Sequence, residues 1–239
     1  MVVQLYLDLL SQPCRTVFIF AKINNIPFEF KSVDLSNGEH FSEEFRKVNL
    51  LRKVPALKDG DFTLAESVAI LLYLSRKYKT PDHWYPLQLQ KVARVDEFLS
   101  WQHTSIRTDA DNLFWLKVVI PLILKKDCPA EKIDAAVETL NETLKQFEDK
   151  FLQDKAFIAG EDISIADLVA YSELIQAFFI GLDIFEGRPK LAAWRQHVES
   201  KIGQEVLDEA HHLIQNPKQM SIAPAVADVF KARVLKILQ

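Results

Sequence analysis

The sequence predicts an α/β domain followed by an all-helical one, and three observations carry that expectation. Short apolar runs near the N-terminus alternate with polar residues, the period of half-buried strands. An Asp-Gly pair, Asp59-Gly60, stands between two such runs, as in tight hairpins. Beyond about residue 88 the apolar residues recur at spacings of three and four, the period of helices. At 239 residues the chain supplies each part with its own core. The expected boundaries are 1–78 for the first domain, 79–87 for a linker and 88–239 for the helical domain.

Val3-Gln4-Leu5-Tyr6-Leu7 alternates as a first strand. Ser11 then suits a helix N-cap, with Val17, Phe18, Phe20 and Ala21 forming the apolar face behind it. Phe28-Glu29-Phe30-Lys31-Ser32-Val33 alternates as a second strand, and the intervening helix makes a βαβ unit with parallel pairing. Val54-Pro55-Ala56-Leu57 and Phe62-Thr63-Leu64 form the hairpin. A helix over Glu66 to Tyr78 turns Val68, Ile70, Leu71, Leu72 and Leu74 inward. The order β-α-β, a loop with a short helix, then β-β-α is the thioredoxin plan. Residues 79–86 hold two prolines and no helical period, as a linker does.

Further on, Ile133, Val137, Leu140, Leu144, Phe147 and Phe151 mark the core face of a long helix. Ser164-Ile165-Ala166-Asp167 is a capping box, with Ile163 and Leu168 as its hydrophobic staple. Gly187 and Pro189 set up a helix through Trp194 and Val198, and Ala225 to Gln239 forms a last one.

Net charge is −4 with both signs interspersed and no Lys/Arg block, which argues against nucleic acid as a partner. No stretch approaches the roughly 20 apolar residues of a membrane span. Asp8 interrupts the first apolar run and no basic leader precedes it, so a signal peptide is not expected and a cytoplasmic location is. Cys14 and Cys128 fall in different predicted helical regions, which argues against a disulfide framework.

The chemistry-bearing residues each admit two readings. Ser11 either caps its helix or acts on a bound anion. Ser11-Gln12-Pro13-Cys14 is similar to the Cys-x-Pro-Cys redox corner of thioredoxin-like proteins, with serine at the attacking position, so chemistry here uses a thiol brought in from outside. Pro55 donates no ladder hydrogen bond. It is either a trans residue on an edge or a cis residue that turns the Val54 backbone outward to pair with a peptide. Glu66-Ser67 either cap the next helix or hold a carboxylate at its N-terminus. His40 in a polar loop, taken alone, is a solvated surface histidine. Arg107, on the first long helix of the helical domain, forms a surface ion pair or faces a cleft, and Arg15 pairs with an acidic neighbour or contacts a ligand. Cys14 is expected as a small buried hydrophobe. Of Phe114, Trp115 and Leu116, some line a pocket and others fill core. His211-His212 are adjacent on a helix and cannot face one metal. With no Cys/His cluster, glycine-rich phosphate loop or His-Glu-x-x-His motif, no metal or nucleotide is expected.

Ser11 at a helix mouth, Lys53-Val54-Pro55-Ala56-Leu57, then Glu66-Ser67 with Ile70-Leu71-Leu72-Tyr73-Leu74 together resemble the glutathione transferase family. The run Leu5 to Arg15, with Phe185-Glu186-Gly187-Arg188-Pro189-Lys190 and Asp167 in its capping box, resembles the theta class. The resemblance implies a homodimer that conjugates glutathione, a co-substrate rather than a cofactor, to haloalkanes, epoxides, peroxides or sulfate esters. It makes Ser11 the donor to the glutathione sulfur and His40 and Lys53 partners of the glycine carboxylate. Val54 then pairs with the cysteinyl backbone, Glu66 and Ser67 hold the γ-glutamyl end, and Gln12 assists nearby. Arg107, Trp115 and Arg233 line the electrophile pocket, with the C-terminal helix as its lid. Some theta members reach the γ-glutamyl group with an acidic residue of the neighbouring subunit where this chain has Thr104, so that contact is not expected. The alternative is a non-catalytic interaction module of the same fold, and the presence of every glutathione-contact residue speaks against it. A glutathione-dependent thiol reductase would want cysteine at position 11.

Overall fold

The computed structural model describes residues 2–215 and 220–238. Its first part is a four-stranded sheet: β1 (Val3–Leu7), β2 (Phe28–Ser32), β3 (Ala56–Asp59) and β4 (Phe62–Ala65), in the order β2-β1-β3-β4. β1 pairs parallel with β2 and antiparallel with β3, and β3 pairs antiparallel with β4. Helix α1 (Gln12–Ile23) makes the crossover between β1 and β2. A 3-10 turn at Glu39–Phe41 and the short α2 (Glu43–Arg46) occupy the loop to β3, and α3 (Ser67–Lys77) follows β4. Val3, Leu5 and Leu7 turn inward from β1 as the alternation requires. Pro55 stands one residue before β3 rather than within a strand, so the ladder loses no donor to it.

A 3-10 turn at Asp82–Trp84 joins the two parts. It is pinned on both sides: Trp84 packs edge-on against Phe20 at 5.5 Å, and His83 Nδ1 lies 2.6 Å from the Ile163 carbonyl. Then come α4 (Leu89–Gln102), α5 (Ile106–Phe114), α6 (Ile120–Leu124), α7 (Ala130–Gln146), α8 (Ile165–Phe179), α9 (Pro189–Ile202), α10 (Gln204–His211) and α11 (Pro224–Ile237). Arg107 therefore sits on α5, because the chain breaks after α4 in a turn over His103-Thr104-Ser105. Cys128 lies in the loop before α7 and not in a helix, and both cysteines are unpaired. The long helix is α7 continued by a π-helical segment, Phe147–Leu152, whose wider turn keeps Phe147 and Phe151 on the buried side with Leu140 and Leu144.

The core centres on α8, which packs against α1, α4, α5 and α9 and is buried nearly all round. Its start is locked by a fully buried carboxylate. Asp167 accepts the Ser164 amide and hydroxyl, the Ile158 amide and the Trp194 indole N–H, each at 2.9 Å. The capping box is present, with both staple residues buried.

Candidate active site

Strand register gathers distant positions at one end of the sheet. Leu7 faces Ser32, Tyr6 faces Ala56, and Ala56 faces Ala65. The C-terminal ends of β1, β2 and β4 thus meet the N-terminal end of β3. Ser11, His40, Lys53, Val54, Glu66 and Ser67 all lie on segments leaving or entering that end.

Ser11 is half-buried at the N-cap of α1, and its side chain makes no capping hydrogen bond. The hydroxyl is not used for capping and lies near the Cys14 thiol at the positive end of a twelve-residue helix. One turn on, Cys14 is fully buried, and burial pushes its thiol up to about 12, which leaves it inert at neutral pH. The Val54-Pro55 bond is cis. The ladder begins at Ala56, and among the described residues Val54 has no backbone hydrogen-bond partner. The neighbouring loop is shaped by Asn49, which donates from Nδ2 to the Lys53 carbonyl at 2.7 Å and accepts the Leu51 amide at 3.0 Å, while the Lys53 side chain is exposed. Glu66 is exposed with φ +69°, a left-handed backbone that costs a residue with a Cβ of order 1–3 kcal/mol. Ser67 begins α3.

His40 is not solvated. It is 7% exposed, its ring tilted against Phe41 with centroids 3.8 Å apart, and its Nδ1 has no partner among the described residues. Burial lowers its pKa.

Across the cleft, Arg107, Asp111 and Trp115 recur every fourth residue along α5 and the π-helical segment that extends it, Trp115–Val119, and so share one face. Arg107 Nη1 lies 2.5 Å from Oε1 of the buried Glu173 on α8. This is a half-buried ion pair rather than a surface one. The Arg233 guanidinium of α11 stacks 4.2 Å above the Trp115 ring, and Phe230 meets the same ring edge-on at 5.5 Å. Burial pushes the Asp111 carboxyl up, while Arg107 and Arg233 draw it down. The Gln12 side chain approaches Asp111 too, yet its buried Nε2 meets no acceptor in hydrogen-bonding geometry. Gln12 thus links the end of the sheet to the Arg107, Trp115 and Arg233 group gathered around Asp111.

The α11 segment is tied to both parts of the chain. The Ala223 amide donates to the Ser36 carbonyl at 2.9 Å, Lys132 Nζ donates to the Ile237 carbonyl at 3.2 Å, and Phe230 reaches Phe41 at 6.1 Å. Sequence reasoning missed Asp111 and Phe230. Asp111 carried a signal in its spacing from Arg107 and Trp115, and Phe230 carried only its place on the apolar face of the last helix. Arg15, fully buried, donates to backbone carbonyls and to Gln176 instead of pairing with an acid.

Residues 2–76 match the family model for the glutathione S-transferase N-terminal domain, and residues 113–201 match that for the C-terminal domain. The chain is 53% identical over 237 residues to human glutathione S-transferase theta-1, covering 99% of each, and 52% identical to mouse glutathione S-transferase theta-3, covering 98% of each. The structure of human glutathione S-transferase T1-1 in its apo form superposes with a TM-score of 0.94 at 53% identity, covering 99% of this chain and 100% of that one. A human theta-class transferase in complex with the glutathione conjugate of 1-menaphthyl sulfate superposes at 0.93 with 45% identity, again covering 99% and 100%. With both family models matched and half of its residues shared end to end with theta enzymes, the chain belongs to the glutathione S-transferase family, in its theta class.

Proposed function

We propose that this glutathione transferase binds the tripeptide across the end of the sheet and uses Ser11 to stabilise its thiolate for attack on small electrophiles. The observation that supports it most is the Ser11 hydroxyl, unspent on capping, at the sheet end shared by Val54, Glu66 and Ser67. A thiol of pKa near 8.5 is only a few per cent thiolate at pH 7, and the thiolate is the nucleophile. Lowering the pKa by one unit takes about 1.4 kcal/mol of preference for the anion. A hydrogen bond to a charged group supplies roughly 1.5–3 kcal/mol, and a helix N-terminus adds about 0.3–1. Ser11 and α1 together account for one to two units, about ten- to hundredfold more thiolate. Ser11 remains a donor throughout and keeps its proton.

In this reading Val54 offers its amide and carbonyl to the cysteinyl backbone, and Ser67 donates to the γ-glutamyl carboxylate while Glu66 accepts from the ammonium. Lys53 and His40 take the glycine carboxylate, Lys53 as an exposed cation and His40 as a neutral buried ring. Gln12 directs its unpaired Nε2 toward the reacting groups. Arg107, Trp115 and Arg233 line the electrophile side, where Arg233 stabilises an anionic leaving group as its bond breaks. The conjugate bound by the human theta enzyme derives from a sulfate ester, which supports sulfate esters alongside haloalkanes, epoxides and peroxides. A homodimer, suited by exposed Leu50, Leu51 and Phe62, and a cytoplasmic location complete the proposal.

Purified protein incubated with glutathione and a small haloalkane should form the thioether and release halide one for one, with saturation in glutathione. Absence of product with haloalkane, epoxide, peroxide and 1-menaphthyl sulfate alike, from protein that binds glutathione by calorimetry, would favour the interaction module.

A further inference from the structure

The turn that delivers Ser11 is gripped from two sides. Beneath it, the buried Arg15 guanidinium donates from Nη1 to the carbonyls of Leu9 at 2.9 Å and Leu10 at 3.0 Å, the two residues before Ser11. Its Nη2 reaches α8, donating to the Ser172 carbonyl at 3.2 Å and to Gln176 Oε1 at 2.5 Å. From the other side, the Asp8 carboxylate accepts the amides of Leu10 and Leu35, each at 2.9 Å, and the Ser11 amide donates to the Asp8 carbonyl at 3.0 Å. Among the described residues, Arg15 makes no ion pair. Burying an unpaired guanidinium is costly, and an apolar side chain would fill the same space at no such cost. What an apolar residue cannot do is bond two successive carbonyls and a second helix from one rigid plane.

We propose that Arg15 is a positioning residue for Ser11 and that Gln176 orients Arg15, so that α8 sets the aim of the Ser11 hydroxyl. The proposal rests on the reading of Ser11 as donor to the glutathione sulfur. A hydrogen bond weakens steeply as it leaves linearity. A shift of the Leu9-Leu10 carbonyls therefore acts on the bound thiol before it acts on tripeptide binding, which uses groups from other strands. Leu10, held by Arg15 through its carbonyl and by Asp8 through its amide, has little freedom to drift. The cation is also retained: burial lowers its pKa only to about 10.

The test compares Gln176→Leu, Gln176→Glu and Arg15→Lys with the wild-type chain, each also made in a Ser11→Ala background. The readouts are the pKa of bound glutathione from thiolate absorbance, kcat with a haloalkane, and KM for glutathione. Gln176→Leu and Arg15→Lys should raise the bound-thiol pKa by about half a unit or more and lower kcat about three- to tenfold at neutral pH, with KM within about twofold. Gln176→Glu, which keeps an acceptor toward Arg15, should retain the wild-type pKa. In the Ser11→Ala background the same changes should add almost nothing, because residues acting through one group are not additive. Equal shifts in both backgrounds would make the clamp purely structural and overturn the proposal, as would a folded Gln176→Leu with the wild-type thiol pKa. If Arg15→Lys fails to fold, the Gln176 pair decides. A Ser11→Ala enzyme with an unshifted thiol would instead overturn the reading of Ser11 itself.

Discussion

At the end of the sheet, Ser11, Val54, Glu66 and Ser67 present short side chains and backbone groups whose places follow from strand register. Across the cleft, Arg107, Asp111, Trp115 and Arg233 reach in as long side chains from α5, its π-helical extension and α11, held by an ion pair and a stacked ring. The first wall is set by the main chain and, under the proposed function, would serve an invariant ligand, a tripeptide recognised along its backbone. The second is set by side chains on helices that meet only through packing, and suits ligands that vary. Substitutions in the first wall should therefore affect every substrate equally, and those in the second should discriminate among them.

The largest effect is expected from Ser11→Ala. Turnover at neutral pH should fall about ten- to hundredfold for all electrophiles, with glutathione affinity within about twofold, since the lost bond is to the sulfur alone. Titrating the bound thiol by absorbance checks this, and a loss confined to one class of electrophile would break the contrast between the walls.

Where α10 packs on α1 and α8 the expected sensitivity is to acid. Burial among Tyr171 and Phe179 pushes the His211 imidazole down to about 3, with Arg15 and Arg195 contributing. The unfolded chain takes up a proton near pH 6.5 that the folded chain refuses, so between about 6.5 and 3 the unfolded state binds more protons. Stability then falls as pH falls, by about 1.4 kcal/mol per unit, or about 2 kcal/mol at pH 5. His211→Phe should flatten this slope, and denaturant midpoints at pH 7 and pH 5 measure it. Parallel slopes in the two proteins would place the acid lability elsewhere.

Smaller effects are expected at Glu66. Glu66→Gly relieves the left-handed backbone at φ +69° and should raise stability by of order 1 kcal/mol while weakening glutathione binding about five- to tenfold. Calorimetry and thermal melting together test the pair of outcomes. Least is expected of Arg233→Ala, a loss of about two- to tenfold in kcat for halide or sulfate leaving groups with epoxides unchanged. Equal loss for both would assign Arg233 to seating α11 on Trp115 rather than to the leaving group.

The first wall was more legible in the sequence than the second, and the reason is local. Ser11 before an apolar helix, Val54-Pro55 before a strand and Glu66-Ser67 at a helix start are signals carried within a few residues, and pairing rules join them without knowledge of packing. His40, solvated when taken alone, is buried because Phe41 lies against its ring and Phe41 itself meets Phe230 of α11, a helix remote in sequence. Arg15 takes neither an acidic partner nor a place facing a ligand, because its acceptors are neutral: the carbonyls of Leu9, Leu10 and Ser172 and the Gln176 side chain, two of them on a helix remote in sequence. The break between α4 and α5 escaped notice because both sides of it keep a helical period. Asp111 gives no signal alone because an acidic residue on an amphipathic helix ordinarily faces water, whereas here Gln12 of α1 and Arg233 of α11, both remote in sequence, approach it.

Gly38 fixes how close that last helix comes. Its φ of +77° already favours glycine, and a Cβ added there would stand 2.7 Å from Val226 Cγ2 on α11. The loop after β2 and α11 are thus fitted to one another with no room for a methyl group between them. Gly38→Ala should prop the lid open, admitting bulkier electrophiles and speeding conjugate release while exposing the thiolate to oxidation, so the tolerance at one loop position balances speed against protection.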